Sequence, residues 1–235
     1  MNLFYAPDIT TPEYTLNEEE AKHSTRVLRL AVGDTIYLVD GKGGFYTAEI
    51  SGISAKSCTA KIIDEQHEYG KRGYRLHIAI APTKSIDRFE WFLEKATEIG
   101  IDELTPLLCE HSERKVVKKE RLEKVVEAAM KQSLKAYHPI VNELTSFEQL
   151  VKTAQADTKL IAHCYNTPKP LLKSLIIPQK AILILIGPEG DFSPKEVELA
   201  KQYGFSDITL GDARLRTETA GVVACCTAWI TNQII

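Results

Sequence analysis

No run of apolar residues in this 235-residue chain approaches the roughly 18 that a membrane-crossing helix needs. That excludes a helical membrane protein. The opening stretch, MNLFYAPDITTPEY, lacks the basic-then-apolar layout of a secretory signal. Cysteine is sparse: Cys58, Cys109, Cys164, Cys225 and Cys226, with no CxxC spacing. An odd number of thiols without a secretion signal fits a reduced, cytoplasmic protein, and no metal site is expected. Positive charge is also lacking. The formal net charge is −3, so any nucleic-acid binding must come from local patches. Internal repeats and low-complexity segments are absent too. What is present is ordinary: 44% hydrophobic and 26% charged residues, in a chain long enough for one large domain or two small ones.

Two textures divide the chain. Up to about Ile63 the signals are short strands. Thr35–Val39 and Phe45–Ile50 flank the hairpin-type connection Asp40-Gly41-Lys42-Gly43-Gly44, and Ser57–Ile63 follows as a third strand. Asn17 with Glu20 three residues on predicts the start of a helix. The polar stretch Asp64–Tyr74 reads as a linker, which predicts domains over 1–72 and 73–235.

Beyond the linker, strands and helices alternate. Strands are predicted at Leu76–Ala81, Glu103–Leu108, Lys159–His163, Ala181–Ile186 and Asp207–Leu210. Helices are predicted at Ile86–Ile99, Glu120–Leu134, Pro194–Tyr203 and Glu218–Thr231. Such alternation implies an α/β domain with a largely parallel sheet. Ala181–Ile186 has no polar residue, which suits a central strand buried on both faces.

The turn after that strand, Gly187-Pro188-Glu189-Gly190-Asp191, opens a helix capped by Ser193, Pro194 and Glu196. Neither GxGxxG nor GxxxxGK[ST] is present. A phosphate beside Glu189 and Asp191 would meet like charge with no lysine between the glycines to offset it. This counts against a mononucleotide-binding enzyme. The turn suits a neutral or cationic ligand approached by backbone groups, or is simply a tight connection. A second loop, Leu210–Ala220, also follows a strand, so both could line one crevice beyond the carboxyl ends of the sheet. It offers Arg214 and Arg216 as cations. Glu218 reads equally well as a catalytic carboxylate and as a favourable charge in a helix's first turn.

Together these segments resemble the RsmE family of 16S rRNA (uracil-N3) methyltransferases of the SPOUT superfamily. The family's IGPEGGFS..E is matched by Ile186–Ser193 and Glu196, and its LGxRILRTETA by Leu210–Ala220. Glu94–Gly100 with Thr105-Pro106-Leu107 is similar to KATELG…PL, and Gln132-Ser133 with Pro139 to QS…P. His23, Arg26–Arg29, Gly33-Asp34 and Asp40-Gly41 resemble the family's N-terminal PUA-like domain. Three positions depart from the pattern: Asp191 replaces a glycine, Ala213 an arginine (with Arg214 next to it), and Lys135 an arginine.

The resemblance implies a β-rich PUA-like domain, a SPOUT domain with a trefoil knot, a homodimer, and S-adenosylmethionine as methyl donor. It places the donor on Ile186, Gly187, Glu189, Gly190, Leu210, Gly211, Leu215, Thr217, Thr219 and Ala220, held mainly by backbone. The expected reaction is methylation at N3 of a uridine in 16S rRNA of the small ribosomal subunit, with Arg216 and Glu218 as catalytic candidates. The alternative is an RNA-binding accessory protein of the same fold without activity. For RNA the candidates are Arg214 and Lys22, Arg26 and Arg29, whose i, i+4, i+7 spacing makes one stripe if the segment is helical.

Overall fold

Apolar–polar alternation in the N-terminal segment builds a sheet with one buried face. In the computed structural model, which describes residues 1–54 and 56–233, the strands are β1 (Leu3–Tyr5), β2 (Glu13–Leu16), β3 (Thr35–Val39), β4 (Phe45–Ile53) and β5 (Cys58–Gln66). Their order is β1-β3-β4-β5-β2, with β1 parallel to β3 and the other pairs antiparallel. Ile36, Leu38, Ala48, Ile50 and Ala60 point to one face and pack with Phe4, Leu16 and Ala21. The β3–β4 hairpin is closed by Asp40, whose carboxylate accepts the amides of Lys42 and Gly44 at 2.7 and 2.8 Å.

Helix α1 (Glu18–Lys22) starts as expected, with the Asn17 side chain accepting the Glu20 amide at 2.9 Å. It does not continue as an α-helix. Residues His23–Val27 form a π-helical turn, and Arg29 has a left-handed φ of 57°. The single basic stripe expected of Lys22, Arg26 and Arg29 is therefore not a helical face. The wider π turn shifts the phase after Lys22, which is itself paired with Glu18 at 2.8 Å.

The chain separates into two compact units. The first comprises Met1–Lys71 and also Met130–His138; the second begins at Arg72, runs to Ala129 and resumes at Pro139. A single boundary near residue 72 thus misses the segment 130–138. Within the first unit that segment packs Met130 and Ala136 against Leu3, Val39 and Phe45.

The second unit follows the strand–helix alternation: β6 (Arg75–Ile80), α2 (Ile86–Ile99), β7 (Glu103–Leu108), α3 (Lys119–Gln132, which belongs to this unit as far as Ala129), β8 (Ile140–Val141), β9 (Thr145–Ser146), α4 (Phe147–Thr153), β10 (Thr158–Ala162), α5 (Leu172–Leu175), β11 (Ala181–Ile186), α6 (Pro194–Gln202), β12 (Ser206–Ile208) and α7 (Thr217–Gln233). All strand pairs are parallel, in the order β12-β10-β11-β6-β7-β8, with β9 also on β7. Strand β11 is central and its side chains alternate between two cores. Ile182, Ile184 and Ile186 join Phe89, Phe92 and Leu93 of α2 and Ala224, Cys225 and Ala228 of α7. Leu183 and Leu185 join Phe147 and Leu150 of α4 and Val197 and Ala200 of α6. Two buried faces explain an unbroken apolar run where a half-exposed strand would alternate. Among the described residues no helix is long and apolar enough to cross a membrane, and all five cysteines are free.

Helix α7 reaches the sheet through a glycine. A Cβ on Gly221 would lie 2.5 Å from the Phe92 ring and 2.9 Å from Ile80 Cδ1. Both side chains are fully buried, so neither can step aside cheaply. Gly221→Val is expected to destabilise the protein by about 1–3 kcal/mol or more, the range for overpacking a core. Urea denaturation measures this; an unchanged midpoint would mean that α7 is not held this closely.

Candidate active site

The loops following β10, β11 and β12 lie side by side because those strands are neighbours and parallel. A cavity of about 1350 Å³ opens among them, at the carboxyl ends where open α/β sheets place ligands. This exceeds the roughly 300–1,000 Å³ common for one small ligand. Ile186–Asp191 and Ile208–Thr217 line it with Ala220, and a third wall comes from residues after β10, including His163, Cys164, Tyr165 and Lys169.

Most of the sequence candidates meet here. Ile186, Gly187, Glu189, Gly190, Leu210, Gly211, Leu215, Thr217 and Ala220 line the cavity, as do Arg214 and Arg216, both exposed. Thr219 and Glu218 do not line it. Glu218 is buried, with Oε1 3.9 Å from Nε of Arg88. The structure thus places Arg216 at the cavity and the Glu218 carboxylate beside α2. Lys22, Arg26 and Arg29 belong to the other unit.

The acids of the glycine turn serve the protein's own backbone. Glu189 Oε1 accepts the Lys84 amide at 3.0 Å, fastening the turn to the loop after β6. Asp191 Oδ2 accepts the Cys164 amide and Oδ1 the Phe192 amide, each at 2.8 Å. The first of these ties the turn to the loop after β10. Glu196 completes a capping box with Ser193, and its Oε1 accepts the Glu110 amide at 2.9 Å, reaching the loop after β7. Glu189 and Asp191, from which a neutral or cationic ligand is expected, thus also act as struts between loops.

Further groups that no local pattern marks brace the turn and the loop after β6. His111 Nδ1 lies 3.1 and 3.0 Å from the carbonyls of Gly190 and Asp191, so it must carry a proton there. The Asp191 carbonyl raises its pKa against the opposing effect of desolvation, and the Gly190 carbonyl adds to the rise. Arg114 donates to the carbonyls of Thr83 at 3.0 Å and Lys84 at 2.6 Å. Thr217 donates its hydroxyl to the Gly187 carbonyl at 3.2 Å, joining the start of α7 to the turn. In the third wall, buried His163 accepts the Tyr165 amide on Nδ1 at 3.3 Å. Its Nε2 faces Asp207 Oδ1 at 3.5 Å, and burial followed by the nearby Lys169 charge holds its pKa below the ordinary value.

Residues 71–229 match the RNA methyltransferase domain family, and residues 16–63 match the RNA methyltransferase PUA domain. Ribosomal RNA small subunit methyltransferase E of Synechocystis is 31% identical over 230 residues, covering 94% of this chain and 75% of the relative. The chain belongs to the ribosomal RNA small subunit methyltransferase E family. Among solved structures, a probable rRNA-methyltransferase from Porphyromonas gingivalis superposes with a TM-score of 0.90 at 44% identity, covering 96% of this chain and 95% of that one. A ribosomal RNA small subunit methyltransferase E from Neisseria gonorrhoeae, bound to S-adenosyl methionine, has a TM-score of 0.85 at 28% identity, covering 96% and 95%.

Against the methyltransferase E pattern, Asp191 stands where a glycine is usual, yet its φ is 62°. It occupies the left-handed region a glycine would and adds a carboxylate that binds two amides. Asp191→Gly should lose the bonds but relax the backbone. Asp191→Ala should lose the bonds and keep the strain, a further cost of about 1–3 kcal/mol. Asp191→Asn should be mildest, since asparagine tolerates this region and retains an acceptor. The order of stability in urea is expected to be wild type, Asn, Gly, Ala; alanine outranking glycine would show that the conformation carries no cost.

Proposed function

We propose that this chain methylates N3 of a uridine in the 16S RNA of the small ribosomal subunit, with S-adenosylmethionine as donor. The observation that carries this reading is the meeting of both family motifs in one cavity at the carboxyl ends of β10, β11 and β12. The lining suits this donor. Its glycine turn presents backbone groups, and no lysine stands between Gly187 and Gly190 to hold a phosphate. A side chain at either glycine would crowd a neighbour: a Cβ on Gly187 would meet Phe192 at 3.1 Å, and one on Gly190 would meet His111 Cβ at 3.1 Å. When bound, the donor supplies an electrophilic methyl group carried on a sulfonium.

The protein's share of the chemistry concerns the acceptor nitrogen. N3 of uracil carries a proton at neutral pH, and that proton must pass to solvent before the N–CH₃ bond is complete. As it leaves, negative charge spreads onto the flanking carbonyl oxygens, and methyl transfer from the sulfonium to N3 then removes that charge. Arg216, exposed at the cavity, is the cation we assign to that charge. Glu218, turned toward Arg88, is better suited to orienting α7 and Arg88 than to taking the proton. Arg214, next to Ala213, also lines the cavity and is assigned to RNA. Arg26 and Arg29, exposed in the first unit, are assigned likewise.

Two finer features belong to the same reading. Helix α7 exposes Trp229 (42%) and Ile230 (47%), and α2 exposes Trp91 (44%). Apolar surface of this kind supports a homodimer built on these helices. The return from β12, at the sheet edge, to α7 against α2 and β6 supports a knotted path.

Mass mapping of methylated uridines in ribosomal RNA, with and without the gene, tests the activity. Calorimetry should show S-adenosylmethionine binding that Gly190→Val removes, because the added side chain forces His111 or the turn to move. Arg216→Ala should retain donor binding while single-turnover methylation falls roughly 100-fold, the scale of losing one oxyanion donor. An equal rate in wild type and Arg216→Ala would transfer the role to another cation.

A further inference from the structure

The first unit exposes apolar side chains where its fold has no use for them. Val27 is 66% exposed, Leu28 36% and Val32 61%. All three lie between Lys22 and Gly33, a stretch with no acidic residue. Their neighbours Arg26 and Arg29 are exposed too, and among the described residues neither has an ion-pair partner. The stretch is built. The Leu28 amide donates to the His23 carbonyl at 3.1 Å, closing the π turn, and the Leu30 amide donates to the Ser24 carbonyl at 3.0 Å. Buried Ser24 donates its hydroxyl to the Ala21 carbonyl at 2.9 Å, and Leu30 packs on the sheet core. The backbone thus sends Leu30 inward while Val27 and Leu28 stand outward between two arginines.

We propose that Val27, Leu28 and Val32 form an apolar wedge that packs against unstacked bases of an RNA whose phosphates are held by Arg26 and Arg29. This rests on the reading above, that the substrate is RNA. Charge selects the partner: two exposed guanidiniums in a stretch without an acidic residue complement a polyanion. Contact with the phosphates would supply affinity without reading base or strand pairing. Aliphatic side chains have nothing to gain from phosphate, but they gain from the apolar faces of bases that have left their stack. Leucine and similar residues serve as wedges between base steps in other nucleic-acid complexes. An enzyme that must bring one base into a cavity needs an RNA that is locally unstacked, and a wedge would favour that state on binding.

The test uses the full chain and two RNAs with equal numbers of phosphates, one a perfect duplex and one interrupted by unpaired nucleotides. Val27→Ser/Leu28→Ser/Val32→Ser should weaken binding to the interrupted RNA by roughly tenfold or more, given the apolar area involved. Duplex binding should change less than about twofold, and the dependence on salt should be unchanged because no charge is removed. Arg26→Ala/Arg29→Ala should instead flatten the log K against log salt slope by roughly one to two units on both RNAs. Equal loss on the two RNAs, or no loss on either, would overturn the wedge. So would sedimentation showing that the apolar variant changes the association state of the protein without RNA, which would give the surface to a second copy. Thermal melting of each variant guards against misfolding, and single Val27→Ser and Val32→Ser variants carry the test if the triple variant fails to fold. If wild type neither binds these RNAs nor methylates ribosomal RNA, the functional reading falls and the wedge falls with it. If wild type methylates and the apolar variants bind like it, only the wedge falls.

Discussion

Carboxylates that accept backbone amides from neighbouring loops hold the cavity in shape. The glycine turn after β11 has one backbone bond of its own, the Asp191 amide to the Pro188 carbonyl at 2.9 Å, and its two glycines leave further conformations open to it. Glu189, Asp191 and Glu196 remove that freedom by binding the amides of Lys84, Cys164 and Glu110, which belong to the loops after β6, β10 and β7. Bonds of this kind, with a charged acceptor, are stronger than neutral ones. They are also directional, so each fixes a position as well as a separation. His111 and Thr217 add the reverse contact, donating to carbonyls of the same turn. The backbone facing the cavity is thereby preorganised, and a ligand need not order it on binding.

These struts work only because the strands deliver the loops together. Parallel pairing of β10, β11 and β6 puts their carboxyl ends at one edge, and burial of β11 on both faces fixes its register against its neighbours. A slip of one residue would exchange Ile184 and Leu185 between cores of different shape. The same slip would carry Gly187 out of reach of Thr217. Core packing and site geometry are in this sense one constraint, transmitted along a six-residue strand.

Elements with a strong local pattern were legible from the sequence. Thr35–Val39, Ile86–Ile99, Glu103–Leu108 and Ala181–Ile186 have the bounds that periodicity suggests, and Asn17 and Ser193 cap the helices they precede. The two-residue strands β8 and β9 were not legible, because a pair of residues has no period. Nor was the π turn at His23–Val27: its phase shift leaves no mark in a pattern read at α-helical spacing. At the site, the motif residues were found because they sit in two short stretches. The parts played by His111, Arg114 and Lys84 were hidden, because each acts on a loop some 30 to 105 residues away in sequence. Asp191 shows the limit from the other side. As a letter it breaks a glycine pattern; as a conformation, φ 62°, it preserves it.

The charge distribution limits how RNA can be held. A net charge of −3 gives no long-range attraction, and in physiological salt an exposed charge is felt over only about 8 Å. Capture must then depend on contact with individual exposed cations, a role the proposed function gives to Arg214 and Arg216 at the cavity and to Arg26 and Arg29 in the first unit. Contacts of that kind position a backbone but carry little information about sequence. On the proposed function, discrimination of the target base would come from groups that meet bases: the cavity lining around Arg216, where the reacting base would fit, and whatever apolar surface rewards a base for leaving its stack. A protein with a strongly basic surface would hold every RNA tightly and gain little from such contacts. Weak general attraction makes the base-specific contacts decide which RNA stays bound long enough to react.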